Sequence, residues 1–292
     1  PALSIKDKRR PPNRVLYEFV SWGNTSSIRV TGSLVYGSMV IGISFSFKKP
    51  CNKASGKGWF DDTLACRRVM SGDKVCIGLV SGGIDSPVAV ARMLIKGWKV
   101  HPLHCSQEEI TGPAAEQKTI ALLRHFLQME GPIGDAAREN LSRKLIVVPV
   151  TKQLSLFTEQ WNHTEYFIHM KRMFNRLADR AALEIPATHV LTGENLGQVS
   201  SQTLGNLGSI EEATKLHPLR PLLGFDKITI MHIAAEIGTF EISKGPEVCD
   251  ALGPNHPTTV GNKEWLEKSE ERVGGMDNIC DDAWELRNYV DL

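Results

Sequence analysis

The run V-C-I-G-L-V-S-G-G-I-D-S-P-V-A-V-A-R-M-L, from Val75 to Leu94, constrains this chain more than any other stretch. Its first six residues are almost continuously apolar and read as a strand buried on both faces, and the segment after the glycines reads as an amphipathic helix. Such a strand needs helices above and below it, which commits the chain to a layered α/β core. The junction between the two, Ser81-Gly82-Gly83-Ile84-Asp85-Ser86, is short and polar. Glycines let a backbone approach an anion closely, and the N–H groups of a helix start present partial positive charge to it. Pro87 falls in the first turn, where its missing N–H is not needed. The junction therefore suits a phosphate or pyrophosphate. Neither G-x-x-x-x-G-K-[ST] nor G-x-G-x-x-G is present, which argues against a GTPase-type loop and a dinucleotide fingerprint.

The same rhythm continues downstream. W-K-V-H-P-L-H-C, K-L-I-V-V-P-V and H-V-L-T-G-E read as strands, with helices over Ala114 to Met129 and Ile168 to Ala182 between them. Strands alternating with helices predict a parallel sheet covered on both faces, Rossmann-like in layout, with ligands beyond the carboxyl ends of the strands. Gly131 to Ser142 reads as an inserted surface loop. Upstream, Arg14 to Phe47 alternates loosely between apolar and polar residues, which suggests short strands, and Lys48 to Trp59 reads as a linker. The expected organisation is a basic N-terminal region (1–70), an α/β domain (71–260) and a C-terminal helical extension (261–292).

Charge sharpens that division. Residues 1 to 70 carry 12 Lys/Arg against 4 Asp/Glu, or +8, and residues 71 to 292 carry 22 against 29, or −7. The N-terminal excess suits contact with nucleic-acid phosphates or a solvated tail. No stretch approaches the roughly 18 apolar residues of a membrane helix, and the N-terminus has no signal-peptide core, so a cytoplasmic protein without a membrane partner is expected. Six cysteines (Cys51, Cys66, Cys76, Cys105, Cys249 and Cys280) are too few for a disulfide scaffold, and no C-x-x-C pair suggests a zinc site.

Three ordered blocks then narrow the reading. Ser81 to Ser86 match the S-G-G-x-D-S phosphate loop of the PP-loop ATP pyrophosphatase superfamily, whose members split ATP between its α and β phosphates. The block H-V-L-T-G-E-N-L-G-Q-V-S-S-Q-T-L, His189 to Leu204, and R-P-L-L-G-F-D-K-I-T-I, Arg220 to Ile230, resemble the tRNA 4-thiouridine synthetase family, ThiI. A-E-I-G-T (235–239), P-E-V-C (246–249) and P-x-x-P-T (254–258) extend the match to about Lys74 to Val260.

The resemblance implies a PP-loop catalytic domain over 71–260 that uses ATP and Mg²⁺ to adenylate uridine at position eight of tRNA, after which sulfur displaces AMP to leave 4-thiouridine. It implies ATP contacts at Leu79, Val80, Ser81, Gly82, Gly83, Asp85, Ser86, Lys171, Gly193 and Gln202. Asp85 is expected to orient the loop or hold Mg²⁺ on the phosphates. Lys227 matches a catalytic lysine, suited to negative charge developing at the α-phosphate. Cys249 matches the cysteine that forms a disulfide with the persulfide-bearing residue during turnover, and Lys244 or a helix terminus is the expected source of a lowered thiol pKa. Glu194 reads as either structural or metal-binding, and Cys105, on the ligand edge of the sheet, is a candidate second thiol.

The resemblance has gaps. About 30 residues follow Val260, so no rhodanese domain is expected here, and about 70 precede the core without a THUMP pattern. Sulfur is therefore expected from a cysteine desulfurase, a carrier persulfide, inorganic sulfide or one of the chain's own cysteines. Asp250, Ala251 and Leu252 follow Cys249 where an iron–sulfur cluster needs a further cysteine, so no cluster is expected. The resemblance implies tRNA as the partner and a link to thiamine biosynthesis, and it is compatible with a homodimer. Two other readings of the phosphate loop also stay open: an ATP-dependent ligase acting on a small carboxylate, and a nucleotide-binding protein without turnover.

Overall fold

The structure, a computed structural model, describes residues 74–245 and 251–292. The expectations for residues 1–70 and for Cys249 lie outside them. In chain order the described elements are β1 (Val75–Leu79), α1 (Asp85–Ile95), β2 (Lys99–Ser106), α2 (Glu108–Thr111), α3 (Ala114–Gln128), α4 (Pro132–Asn140), β3 (Lys144–Pro149), α5 (Thr151–Ser155), α6 (Tyr166–Glu184), β4 (His189–Leu191), α7 (Leu204–Glu211), β5 (His217–Leu219), α8 (Lys227–Glu236), α9 (Phe240–Ser243), α10 (Lys263–Arg272), α11 (Met276–Glu285) and β6 (Asn288–Asp291). The strands form one sheet in the order β5-β4-β1-β2-β3-β6. The first five are parallel to their neighbours, and β6 joins the β3 edge antiparallel, Leu145 opposite Val290.

Strand alternation divides the core between the two faces. Ile77, Ile146, Val148 and Val190 pack with α6 and α11, whereas Cys76, Leu145, Val147 and Leu191 pack with α1, α3, α4 and α8. Ile77 and Leu145 are fully buried, and each such side chain contributes about 1.5–3 kcal/mol relative to exposure. Helices on both faces of a mostly parallel sheet are the predicted fold class.

Two local expectations are corrected. The stretch 131–142 contains α4, not a loop: Pro132 occupies its first turn, its fully buried residues are Gly134 and Ala137, and half-buried Ile133 and Ala136 pack beside them. Residues this small carry little hydropathy signal, which hides the helix in the sequence. The segment 261–292 is not only helical. Its last strand completes the sheet, and buried Glu270 of α10 receives Nε and Nη2 of Arg172 from α6. Among the described residues no helix is long and apolar enough to cross a membrane.

Candidate active site

The chain runs outward from β1 through β2 to β3, then returns to the other side of β1 to place β4 and β5. The order reverses between β1 and β4, and their carboxyl ends open a crevice there, the usual ligand position in such sheets. A cavity of about 560 Å³ fills it. Leu79 at the end of β1, Ser81, Asp85 and Ser86 of the phosphate loop, and Gly193 after β4 line its floor. Phe167, Met170, Lys171 and Phe174, spaced along one face of α6, form a wall. Gln202, on a short 3₁₀ turn, and Lys227, the first residue of α8, complete it.

The phosphate loop is held by its own hydroxyls and by its neighbours. Ser81 N–H donates to Ser86 Oγ at 3.1 Å, and Gly83 N–H to Ser81 Oγ at 3.4 Å. Gly82 has φ +74°, and a Cβ there would lie 2.6 Å from the Ala115 carbonyl oxygen, so only glycine fits. Gly193 is required for a different reason: a Cβ would lie 2.8 Å from Ser86 N. The close approach at this strand end is thus to the protein's own helix start.

Val80, expected to contact ATP, has a structural part in the loop as well. Its side chain is buried in the core, its N–H donates to Leu103 O at 3.0 Å, and its carbonyl accepts from His104 Nδ1 at 2.8 Å. It anchors the loop and lines neither cavity described here. Because a carbonyl only accepts, Nδ1 carries the proton, and burial lowers the His104 pKa in keeping with a neutral ring.

The two downstream sequence blocks meet through main-chain contacts. Thr192 N–H donates to Leu219 O at 3.0 Å, Leu196 N–H to Leu223 O at 3.0 Å, and Asn195 Nδ2 to the Phe225 carbonyl. Asp226 then caps α8, accepting from Thr229 N at 2.7 Å, which sets Lys227 at the cavity rim. The Glu194 alternatives resolve toward structure. Its carboxylate lies 2.9 Å from Lys171 Nζ and 2.8 Å from Arg220 Nε, and is 7% exposed. Burial raises its pKa, but the Lys171 ammonium and Arg220 guanidinium outweigh that and hold it below the ordinary carboxylate range. Lys171 therefore reaches the cavity with its charge already partnered. The Oε1 of Gln202 and Nε2 of Gln198 are buried without hydrogen-bond partners, an acceptor and a donor on the same wall.

A second cavity, about 140 Å³, lies against the same loop and is lined by Gly82, Gly83, Gln107, Thr111, Lys118 and Cys105, among others. Ser81, Ile84, Asp85 and Phe174 border both cavities. Of the lining residues, Phe167, Met170 and Phe174 of the α6 wall, Gln107 and Lys118 were not picked out from the sequence. The i, i+3, i+4, i+7 spacing on α6 was the one available signal, and it is shared by any helix that packs. Cys105 is the weaker thiol candidate: burial, and then the nearby Cys280, push it well above the ordinary cysteine range. Burial pushes Cys76 and Cys280 up to about 12. Among the described residues no group of three or more His, Cys, Asp or Glu converges to hold a metal ion.

Comparison with known proteins agrees with this fold. Residues 70–274 match the family model "Thiamine biosynthesis protein (ThiI)". The chain is 33% identical over 205 residues to a probable tRNA sulfurtransferase of Moorella thermoacetica, covering 70% of this chain and 50% of that protein. It is 37% identical over 195 residues to one from Staphylococcus saprophyticus, covering 66% and 45%. The chain thus spans about half the length of the curated relatives it matches. Among solved structures, a 4-thiouridine synthetase–RNA complex with bound ATP superposes with TM-score 0.67 at 34% identity, covering 74% of this chain and 55% of that one.

Proposed function

The chain belongs to the ThiI family, and from that premise we propose that it carries the ATP-dependent catalytic domain of a tRNA sulfurtransferase that makes 4-thiouridine at position eight. The observation that carries the reading is the convergence of Ser81, Asp85, Lys171, Gly193, Gln202 and Lys227, drawn from four stretches of sequence, on one cavity at the β1/β4 crevice. Its volume lies within the roughly 300–1,000 Å³ of small-ligand sites. ATP lies across the crevice, its base or ribose facing the unpartnered Gln198 and Gln202 amides and its phosphates at the loop and the start of α1. Asp85, which lines the cavity, would hold Mg²⁺ on the phosphate oxygens, where the ion would neutralise charge on the phosphates.

In the first step uridine O4 bonds to the α-phosphorus. The bond to the α–β bridging oxygen breaks, its electron pair leaves on pyrophosphate, and the N3 proton is lost. Lys227, free of the Glu194 network, supplies positive charge at the cavity rim as the α-phosphate is attacked. A persulfide or sulfide sulfur then adds at C4, and AMP departs with the former O4. When the donor is a persulfide, its outer sulfur is then bonded to C4 and to the donor's inner sulfur; Cys249 is the proposed thiol that attacks the inner sulfur, forming a disulfide with the donor as the old S–S bond breaks and its electron pair stays on the sulfur left at C4. Buried Cys76 and Cys280 and half-buried Cys105 all have raised pKa values and are poor alternatives, because a thiol held protonated is a weak nucleophile. The N-terminal +8 region is proposed to contact tRNA, and the site of action to be the cytoplasm.

The test is incubation with ATP, Mg²⁺, unmodified tRNA and either sulfide or a cysteine desulfurase, read by the near-ultraviolet absorbance of 4-thiouridine. Appearance of thiolated tRNA is expected. AMP formation with no thiolated product from either sulfur source refutes sulfur transfer and leaves adenylation alone.

A further inference from the structure

The amino ends of the strands, opposite the nucleotide crevice, carry a pair of histidines that the adenylating chemistry does not use. His189 opens β4 and His217 opens β5, and the two stand directly opposite one another in the parallel register. Such neighbours lie about 4.8 Å apart and project from the same face of the sheet. Here the two ring centres are 5.4 Å apart at an interplanar angle of 53°. Two imidazoles that share an ion at about 2.0–2.1 Å per nitrogen hold their ring centres roughly 5 Å apart, so the spacing already suits a shared ion. His189 Nδ1 lies 2.8 Å from Thr188 Oγ1. With the Nδ1 proton donated to that hydroxyl, Nε2 keeps its lone pair, the arrangement that orients a metal-binding imidazole. Burial, and then the neighbouring His217, lower the His189 pKa, so its ring is neutral near pH 7, as a metal ligand must be. The His217 ring is exposed, and neither of its nitrogens has a hydrogen-bond partner among the described residues. Trp98 packs edge-on against the His189 ring, centroids 4.7 Å apart.

We propose that His189 and His217 form a two-histidine site for a divalent transition-metal ion of the imidazole-preferring kind, Ni²⁺, Cu²⁺ or Zn²⁺, with water completing the coordination. Two nitrogen donors select these ions over Mg²⁺ and Ca²⁺, which take oxygen ligands. Among the described residues no third His, Cys, Asp or Glu joins the pair, so binding rests on the two rings. The ion pins β5, the edge strand of the sheet, to β4. That strand leads directly into Arg220, whose guanidinium meets Glu194 at 2.8 Å, so the ion stiffens the support of the crevice from the far end of the strand without touching it. The site does not depend on the sulfurtransferase reading.

The test is titration of the full chain with Ni²⁺, read by tryptophan emission, which an ion bound at His189 quenches at Trp98. Saturable quenching is expected, and it should disappear in Trp98→Phe. His189→Gln and His217→Gln should each weaken the affinity read at Trp98 by roughly 10-fold or more, and excess Mg²⁺ should not displace the ion. Saturating Ni²⁺ should also raise the Tm of the unsubstituted protein and leave that of His217→Gln unchanged. If His189→Gln does not fold, His217→Gln, at an exposed position, decides alone. No saturable quenching at Trp98, an unchanged affinity in His217→Gln, or displacement by Mg²⁺ each overturn the assignment. Thiolation is not part of this measurement, so failure of the metal site and failure of the sulfurtransferase reading are told apart.

Discussion

Gly193→Ala adds one methyl group where the nucleotide cavity and the start of α1 meet. Built on the existing backbone, the new Cβ lies 2.8 Å from Ser86 N, 2.9 Å from the Asp85 carbonyl carbon and 3.0 Å from Ser86 Cα. All three are main-chain atoms, so no side chain can swing away. The helix cannot retreat easily either, because Val88, Ala89 and Val90 behind it are buried. The β4 end or the first turn of α1 must therefore move by a few tenths of an ångström, at a cost of roughly 1–3 kcal/mol. For a unit of this size that lowers Tm by roughly 3–10 °C. The displaced atoms carry Asp85 and Ser86, so adenylation should slow by roughly tenfold or more.

Gly208→Ala is the matched control. It lies in α7, where a Cβ meets nothing within 4 Å, and the substitution should stabilise by about 0.4–1 kcal/mol. Urea unfolding followed by tryptophan fluorescence, with ATP binding by calorimetry, reads both variants. A Gly193→Ala protein that unfolds at the original midpoint and keeps its ATP affinity would refute the close-packing argument for this glycine.

Glu194→Gln leaves Lys171 without its carboxylate and Arg220 with only Glu211. Breaking so buried a pair should cost about 3 kcal/mol near neutral pH. Because the native Glu194 pKa is depressed, its contribution is present above the unfolded value of ~4.3 and is lost as pH falls through the lower native value. Urea midpoints of the two proteins should therefore converge on acidification, and a constant difference from pH 7 to pH 3 would refute the ion-pair account. Alkylation by iodoacetamide at pH 7.5, read by peptide mass spectrometry, should leave Cys76, Cys105 and Cys280 unmodified until denaturant is added. Native-state labelling of Cys105 would restore it as a candidate sulfur carrier.

Much of the fold and part of the site were legible in the sequence because they depend on local rules. An apolar run followed by S-G-G-I-D-S and Pro87 can hardly be other than a strand, a tight anion-binding turn and a helix, and strand–helix alternation implied the covered parallel sheet. The α4 helix was missed because its fully buried positions are glycine and alanine, and β6 because an edge strand of four residues, mostly exposed, carries almost no periodic signal. The pairing of Glu194 with Lys171 and Arg220, the anchoring role of Val80 and the placement of Lys118 and Gln107 beside the phosphate loop were decided by tertiary structure alone. Each depends on which distant elements pack together, and neither composition nor spacing records that. The opening hexapeptide determined that a phosphate belongs at the mouth of the sheet. Only the packing of α3 and α6 around it decided that the loop has a cavity on each side, because the volume beside a loop is set by the helices that cover it.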